Sequence, residues 1–319
     1  MGMKFKTLFS TLLLMFIVSS YAQAQVKTDF EKPIFIKGAN LDQNQLEQTK
    51  DDLDVKNEND YEVLTISADE VNKYLGTNLN YITSSATIEK KKFGKGVDVE
   101  ILTPNTITKV TNEQYMNASI TAGINNANIK VASVESVTGE GALTGIYKAY
   151  EESGNELDKQ DIQNANQEMS DLAAISEENQ GKDGYSDESL NAAIADIKQQ
   201  LADIQKKQDE QLTKEQVSDI VNDVLKDRGL NNVINEQQTT VIINNMYNVT
   251  QGKVFQADPK AFEQQAKSVS KKIEKSAGDL INKAKDLNTE ENRNMLQKII
   301  DGIKEIFLSL VDFIKGIFN

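Results

Sequence analysis

The first half of the chain alternates between short apolar runs and segments whose apolar residues recur at helical spacing. The runs PIFIKG, YEVLTIS and ANIKVASVESV are typical of strands, because Ile and Val recur in them between turn residues. Each helix between them is predicted to begin at a capping box, in which two side chains satisfy free backbone N–H groups. The pairs are Asp42 with Gln45, Ser67 with Glu70, and Thr111 with Gln114. The predicted order, β-α-β-α-β-β-α-β-α, indicates an α+β fold with helices packed on a mixed sheet.

The stretch SSATIEKKKFGKGVDVEILT predicts a β-hairpin. Apolar residues alternate along one arm from Ala86 to Ile88 and along the other from Val97 to Ile101, with Gly94 and Gly96 in the turn. Four lysines surround one aromatic residue at the tip: Lys90, Lys91, Lys92, Phe93 and Lys95.

This tip has two interpretations. One is docking on anionic wall polymers or lipid headgroups, since the tip is basic in an otherwise acidic chain. The other is a solubilising turn that protects strand edges from pairing with another chain. The sequence alone favours the second interpretation.

Three glycines at the start of the next predicted helix resemble a phosphate-binding loop. A dinucleotide site requires G-x-G-x-x-G, whereas Gly139, Gly141 and Gly145 form G-x-G-x-x-x-G. Glu140 also places a negative charge inside the loop. The sequence therefore predicts no cofactor and indicates that the glycines let this helix approach the sheet closely. The residues expected to face the sheet are Leu143, Ile146, Tyr147 and Tyr150.

The second half is predicted to be helical. A long helix is expected from Asn155 to Asn179, and a capping box at Thr213 and Gln216 begins another. Apolar residues from Leu190 to Ile204 are spaced four and three apart, but this seam is too short to indicate an independent coiled coil. We therefore expect the seam to pack within the chain.

We expect a signal followed by two domains. Residues 1–24 contain the basic, apolar and small-residue parts of a secretory signal, with cleavage after Ala24; a retained membrane anchor is the alternative. Residues 25–180 are predicted to form the α+β domain. Residues 186–319 are predicted to form a mainly helical domain.

The last segment, residues 294–319, is the most amphipathic part of the chain. Its charged face argues against spanning a bilayer. Three alternatives remain: docking on this protein's own helices or on a second copy, contact with a membrane surface, or binding to another partner. Docking on its own helices or on a second copy is favoured. The apolar residues proposed for contact are Ile303, Phe307, Leu310, Ile314 and Phe318.

Composition excludes several classes of chemistry. The chain has no His and no Cys in 319 residues, which excludes Ser-His-Asp and Cys-His hydrolases, disulfides and the usual zinc sites. No metal site is predicted. The formal net charge is −14, and loss of the two lysines of the signal would make it −16, which disfavours nucleic acid and anionic surfaces as partners.

Two catalytic possibilities remain. Paired carboxylates acting on a glycan bond stay open, although no spacing identifies the pair. The run from Ser268 to Lys271 fits S-x-x-K, in which a lysine activates a serine, but the companion motifs S-D-N and K-T-G are missing. We therefore predict no catalytic residues.

Several motifs resemble a known family. TGEGALTGIYKAYEESG, YMNASITAGINNANIKVASV, VNKYLG and NTITKVT are similar to the family of domains of unknown function numbered 1002. The similarity is best from about Gly38 to Asn179 and continues more weakly into the helical half. The chain departs from it at Thr138–Gly141, where the family usually shows S-G-T, and lacks an aromatic residue near Asn105. The resemblance implies an exported protein of Gram-positive bacteria without an assigned activity, and it transfers no catalytic residues.

Together these features predict an exported protein, secreted or on the cell surface, that acts by binding at a Gram-positive envelope and has no enzymatic activity. The partner is expected to be a protein or a wall component. One alternative is a peripheral membrane protein held by its C-terminal helix. The other is a carboxylate-based enzyme that acts on cell-wall glycan.

Overall fold

The computed structural model describes residues 32–76, 78–182 and 184–286. The first half contains β1 Ile34–Gly38, α1 Gln43–Asp52, β2 Glu62–Ile66, α2 Ala68–Leu75, β3 Ser85–Lys90, β4 Asp98–Ile101, α3 Asn112–Ala122, β5 Ala127–Ala132 and α4 Glu140–Glu152. The second half contains α5 Lys159–Asn179, α6 Asp187–Gln205, α7 Lys214–Asp227, α8 Glu236–Gln251, α9 Lys253–Ala257 and α10 Pro259–Asp286. The predicted α+β class and the helical second half are confirmed. The predicted signal, residues 1–24, and the predicted C-terminal helix, residues 294–319, lie outside the described residues.

The described strands form one mixed sheet in the order β2-β1-β3-β5-β4. β1 is parallel to β2 and antiparallel to β3, while β5 is antiparallel to β3 and parallel to β4. The sheet is therefore mixed, as predicted.

The predicted hairpin is wrong. β5 lies between its two arms, so that Ala86 of β3 is opposite Val131 of β5, and Val99 of β4 is opposite Ile129 of β5. The connection from Lys91 to Val97 is longer than the tightest hairpin turns, and it leaves room for this third strand. Alternation along the chain identified both strands, but it carries no information about which strand lies beside them.

The predicted caps form. Capping boxes are present at Asp42, Ser67, Thr111 and Thr213, each with its partner three residues later. The long helix begins later than predicted, because Asp158 is its N-cap and accepts a hydrogen bond from Gln160 N–H at 2.8 Å.

Helices cover both faces of the sheet. The main core lies between one face and α2, α3 and α4, and a smaller apolar cluster around Phe35, Leu53 and Val55 lies on the opposite face, beside α1. Gly145 brings α4 onto the sheet, because a Cβ at this position would be 2.6 Å from Ile36 Cγ2. The four residues of α4 predicted to face the sheet are all buried.

The main core continues into the helical half. Ala192 and Ala195 of α6 and Val269 and Ile273 of α10 belong to the same apolar cluster as the sheet. The seam of α6 packs within the chain, as predicted: its residues from Leu190 to Leu201 are buried, and Ile204 is partly buried. The predicted division into domains near residues 180–186 stays a prediction. In the described parts of the chain, no helix has the length and apolar character needed to cross a bilayer.

Candidate interaction surface

The lysine-rich tip projects from the sheet as the connection between β3 and β4. Phe93 is 87% exposed, which is far more than Val63, Leu79 or Tyr81. Lys90, Lys92 and Lys95 are also exposed. Lys91 differs, since its ammonium forms an ion pair with Asp98 at 2.8 Å and its side chain is 11% exposed. The predicted tip residues therefore divide into an outward group and one anchoring lysine.

Helix α10 holds the tip in place. Ser268 Oγ donates a hydrogen bond to the backbone oxygen of Lys95 at 2.7 Å, and Lys272 Nζ donates to the backbone oxygen of Val97 at 3.2 Å. Gly96 has a φ of +82°, and a Cβ there would be 2.8 Å from Ser268 Oγ. A glycine at this position thus permits both the turn and the close approach of α10.

The anchoring contacts converge on Asp98. Its carboxylate forms ion pairs with both Lys91 and Lys272. Burial lowers the pKa of Lys272, and the neighbouring ammonium of Lys91 acts in the same direction. The Asp98 carboxylate is the counter-charge that both ammonium groups share.

Helix α10, which binds the tip, also carries three exposed lysines. Lys267, Lys271 and Lys275 recur every four residues and are exposed, and Ser268, which binds the tip, lies next to Lys267 in the chain. We call these three lysines, together with Lys92, Phe93 and Lys95, the basic surface. None of its lysines forms an ion pair with an acidic residue in the described part of the chain.

The two serines of the S-x-x-K run have structural contacts. Ser268 binds the tip, and Ser270 Oγ donates to the carboxylate of Asp196 on α6. Both hydroxyls therefore fasten α10 to its neighbours. The remaining predicted contact residues, Ile303, Phe307, Leu310, Ile314 and Phe318, lie outside the described residues.

The glycine-rich stretch serves packing at the start of α4. Gly139 is the N-cap and Glu140 is the first helical residue. A Cβ at Gly139 would be 3.0 Å from Ile107 Cγ2, and one at Gly141 would be 3.3 Å from Ile82 Cδ1. The close approach predicted for these glycines is confirmed.

An acidic cleft of about 700 Å³ lies between the β4–α3 connection and helices α5 and α6. Glu113, Glu177, Asp187 and Glu188 line it, and Lys109 forms an ion pair with Glu177 at 3.2 Å. A carboxylate-based enzyme that hydrolyses glycan would require two acids facing each other across a cleft of this kind. Among the residues described, no group of three or more acids is arranged to hold a metal ion.

The structure contains a buried ion pair that the sequence did not predict. Lys198 of α6 and Glu168 of α5 have essentially no exposed side-chain surface, and Lys198 Nζ lies 2.6 Å from Glu168 Oε1. Lys198 also donates to the backbone oxygen of Asn117 at 2.9 Å, and Thr121 Oγ1 donates to Glu168 Oε2 at 2.7 Å. The pair therefore joins α3, α5 and α6. Its only sequence signal is the position of Lys198 between Ile194 and Leu201 on the apolar face of α6.

These features define an α+β protein built on a mixed sheet, with a basic surface on an acidic molecule. The chain belongs to the family described as "Protein of unknown function (DUF1002)", whose profile matches residues 37–269. The resemblance noted in the sequence is thus confirmed and extends into the helical half.

One similar protein is the "Uncharacterized protein YpuA" of Bacillus subtilis (strain 168). It is 30% identical over 287 residues, which cover 87% of this chain and 88% of that protein. No solved structure matches the chain significantly.

Proposed function

We propose that this protein is exported, acts by binding at the cell envelope, and uses its basic surface to dock on an anionic lipid layer. The observation that carries this proposal is Phe93, which is 87% exposed in the middle of the lysines. Export rests on the secretory signal predicted for residues 1–24.

Electrostatics supports an anionic target. Lysines close to an anionic bilayer each contribute about 1 kcal/mol to binding, and this contribution decays over about 10 Å at ordinary ionic strength. The chain as a whole carries a net charge of −14, so an anionic surface repels most of the molecule. The basic surface would therefore set the orientation in which the protein approaches.

Phe93 distinguishes a lipid layer from a wall polymer. A hydrophilic polyanion would satisfy the lysines but would leave the phenyl ring in water. The boundary between headgroups and acyl chains accepts an apolar ring while lysines bind the phosphates above it. The combination of residues thus favours lipid over polymer.

Vesicle binding by the mature chain, residues 25–319, tests the proposal. We expect co-sedimentation with phosphatidylglycerol vesicles at low salt, weaker binding at 0.5 M NaCl, and little binding to phosphatidylcholine vesicles. The double substitution Lys92→Gln/Lys95→Gln should weaken binding about tenfold or more, because two contributions of about 1 kcal/mol are lost. Export is checked on protein recovered from cells, whose first residue is expected to be Gln25.

Two comparisons complete the experiment. Lys56→Gln/Lys73→Gln removes two exposed lysines outside the basic surface and should leave binding nearly unchanged. Deletion of residues 294–319 tests the alternative anchor. If that deletion abolishes binding while the Lys92 and Lys95 substitutions have no effect, the C-terminal helix is the anchor and the proposal is wrong. Binding to isolated wall polymer but not to vesicles also contradicts it.

A further inference from the structure

A second cavity lies away from the basic surface, between α2, the start of α4, and α5. Its volume is about 450 Å³, which is within the range of small-ligand sites. Its lining includes Glu140 and Gly141 of the glycine-rich stretch, whose spacing does not fit a phosphate-binding loop, and its walls differ in chemistry.

The wall contributed by α5 is lined with amide and hydroxyl groups. Gln163, Asn166, Gln167 and Ser170 all line the cavity, because their spacing of three, four and seven residues places them on one face of the helix. A primary amide both donates and accepts hydrogen bonds, so this wall can bind hydroxyl and amide groups of a ligand without requiring charge.

Asn166 has an unused donor. Tyr147 donates its hydroxyl hydrogen bond to Asn166 Oδ1 at 3.3 Å, whereas Asn166 Nδ2 is buried without a hydrogen-bond partner among the described residues. A buried donor is destabilising until a partner reaches it. Nδ2 itself has essentially no exposed surface, so a ligand carbonyl or hydroxyl becomes its partner when the amide turns towards the cavity.

The opposite wall is apolar and fixed in position. Tyr74, Leu75 and Leu79 line it, and Leu79 is 39% exposed. The side chain of Asn72 holds both backbone groups of Leu79: Oδ1 accepts from Leu79 N–H at 2.6 Å, and Nδ2 donates to Leu79 O at 2.8 Å. The hydroxyl of Tyr74 is bound to Glu151 at 2.6 Å, which helps to hold this ring in place.

The charges of the lining define the ligand class. Among the described residues that line this cavity, Glu140 is the only acid and there is no basic residue. A neutral ligand with hydroxyl and amide groups on one side and apolar faces on the other fits these walls. One carboxylate is not enough for glycoside hydrolysis of the usual kind, which requires two.

From this arrangement we propose that the cavity between α2, α4 and α5 binds a neutral glycan that carries N-acetyl groups. Asn166 and Gln163 bind its amide and hydroxyl groups, and the wall of Tyr74 and Leu79 packs against the apolar face of a sugar ring. This site is separate from the basic surface, so each can fail without the other.

Calorimetric titration of the mature chain with the β-1,4-linked trimer of N-acetylglucosamine tests this assignment. We expect saturable binding of the trimer and no binding of maltotriose, which lacks N-acetyl groups. Asn166→Leu should weaken binding about tenfold or more, since it removes the donor without creating a cavity, and Gln163→Ala should weaken it roughly threefold. Asn166→Leu also removes the acceptor of the buried Tyr147 hydroxyl, so urea unfolding is measured beside the titration to show that the variant is folded.

Gln48→Ala, at an exposed position on α1, serves as the matched control and should bind the trimer like the parent. Phe93→Ala should also leave sugar binding unchanged. The assignment is overturned if the parent protein does not bind the trimer, if maltotriose binds equally well, or if a folded Asn166→Leu protein binds with undiminished affinity. Failure of vesicle binding has no bearing on these outcomes.

Discussion

Lys198 and Glu168 show how much a single residue depends on partners that are distant in the chain. Lys198 lies 30 residues from Glu168, and its other acceptor, Asn117 O, lies 81 residues away. Helical periodicity places Lys198 on the buried side of α6, but nothing in the local sequence indicates which acid meets it. Burial lowers the pKa of Lys198, and the carboxylate of Glu168 opposes this lowering.

Substitution Glu168→Gln should therefore be costly. It leaves the Lys198 ammonium buried without a counter-charge, and breaking a buried pair in this way costs about 3–5 kcal/mol of unfolding free energy. Lys198 can relieve the cost by losing its proton, because its pKa in the folded variant falls further below the unfolded value. Between these two values the unfolded chain binds more protons than the folded one, so the variant gains stability as pH rises.

The measurement is urea unfolding followed by circular dichroism at pH 6 and pH 9. We expect the loss to be larger at pH 6. Lys207→Gln removes a lysine whose side chain is 65% exposed and paired with Asp203, and it should change stability by less than about 0.5 kcal/mol. If Glu168→Gln lowers the unfolding free energy by less than about 1 kcal/mol, and by the same amount at pH 6 and pH 9, Lys198 and Glu168 do not form a charged pair.

At the scale of elements, local signals located the helices and strands but not their neighbours. Capping boxes at Ser67 and Thr111 marked helix starts correctly, because the interactions involved span only three residues. The position of β5 between β3 and β4 depends on contacts between distant segments, so the pattern of the two arms alone predicted a hairpin that does not form. The close approach of Gly145 to the sheet was predicted correctly, because a glycine in a helix indicates close packing, but the sequence did not indicate that Ile36 is its neighbour.

Gly145→Ala tests the close packing of α4. Alanine favours a helix by about 1 kcal/mol over glycine, but the new Cβ would lie 2.6 Å from Ile36 Cγ2, and such overpacking costs about 1–3 kcal/mol. We expect a net loss of stability in thermal unfolding. Asp223→Ala, at an exposed position on α7, should change stability by less than about 0.5 kcal/mol. An increase in stability for Gly145→Ala would show that α4 does not need a glycine here.

At the scale of the whole molecule, the basic surface combines parts that the chain keeps far apart. Lys95 and Ser268 are 173 residues apart, and their hydrogen bond joins the tip to α10, which carries three exposed lysines. The sequence identified the tip and the S-x-x-K run from Ser268 to Lys271, but it did not indicate that the two lie together. The chain has a net charge of −14, so the basic surface is a positively charged region on an acidic molecule. The proposed docking on lipid depends on this uneven distribution of charge.

The absence of tryptophan from the sequence permits a direct test of that docking. Phe93→Trp introduces a single tryptophan at the centre of the basic surface, and Tyr81→Trp introduces one at another exposed position, 55% exposed in the parent. On addition of phosphatidylglycerol vesicles, we expect the emission of the Phe93→Trp protein to shift to shorter wavelength and to be quenched by brominated acyl chains. Tyr81→Trp should show neither change. If the Phe93→Trp protein co-sediments with the vesicles but its emission stays that of a solvated indole, the basic surface does not contact the lipid and the account is contradicted.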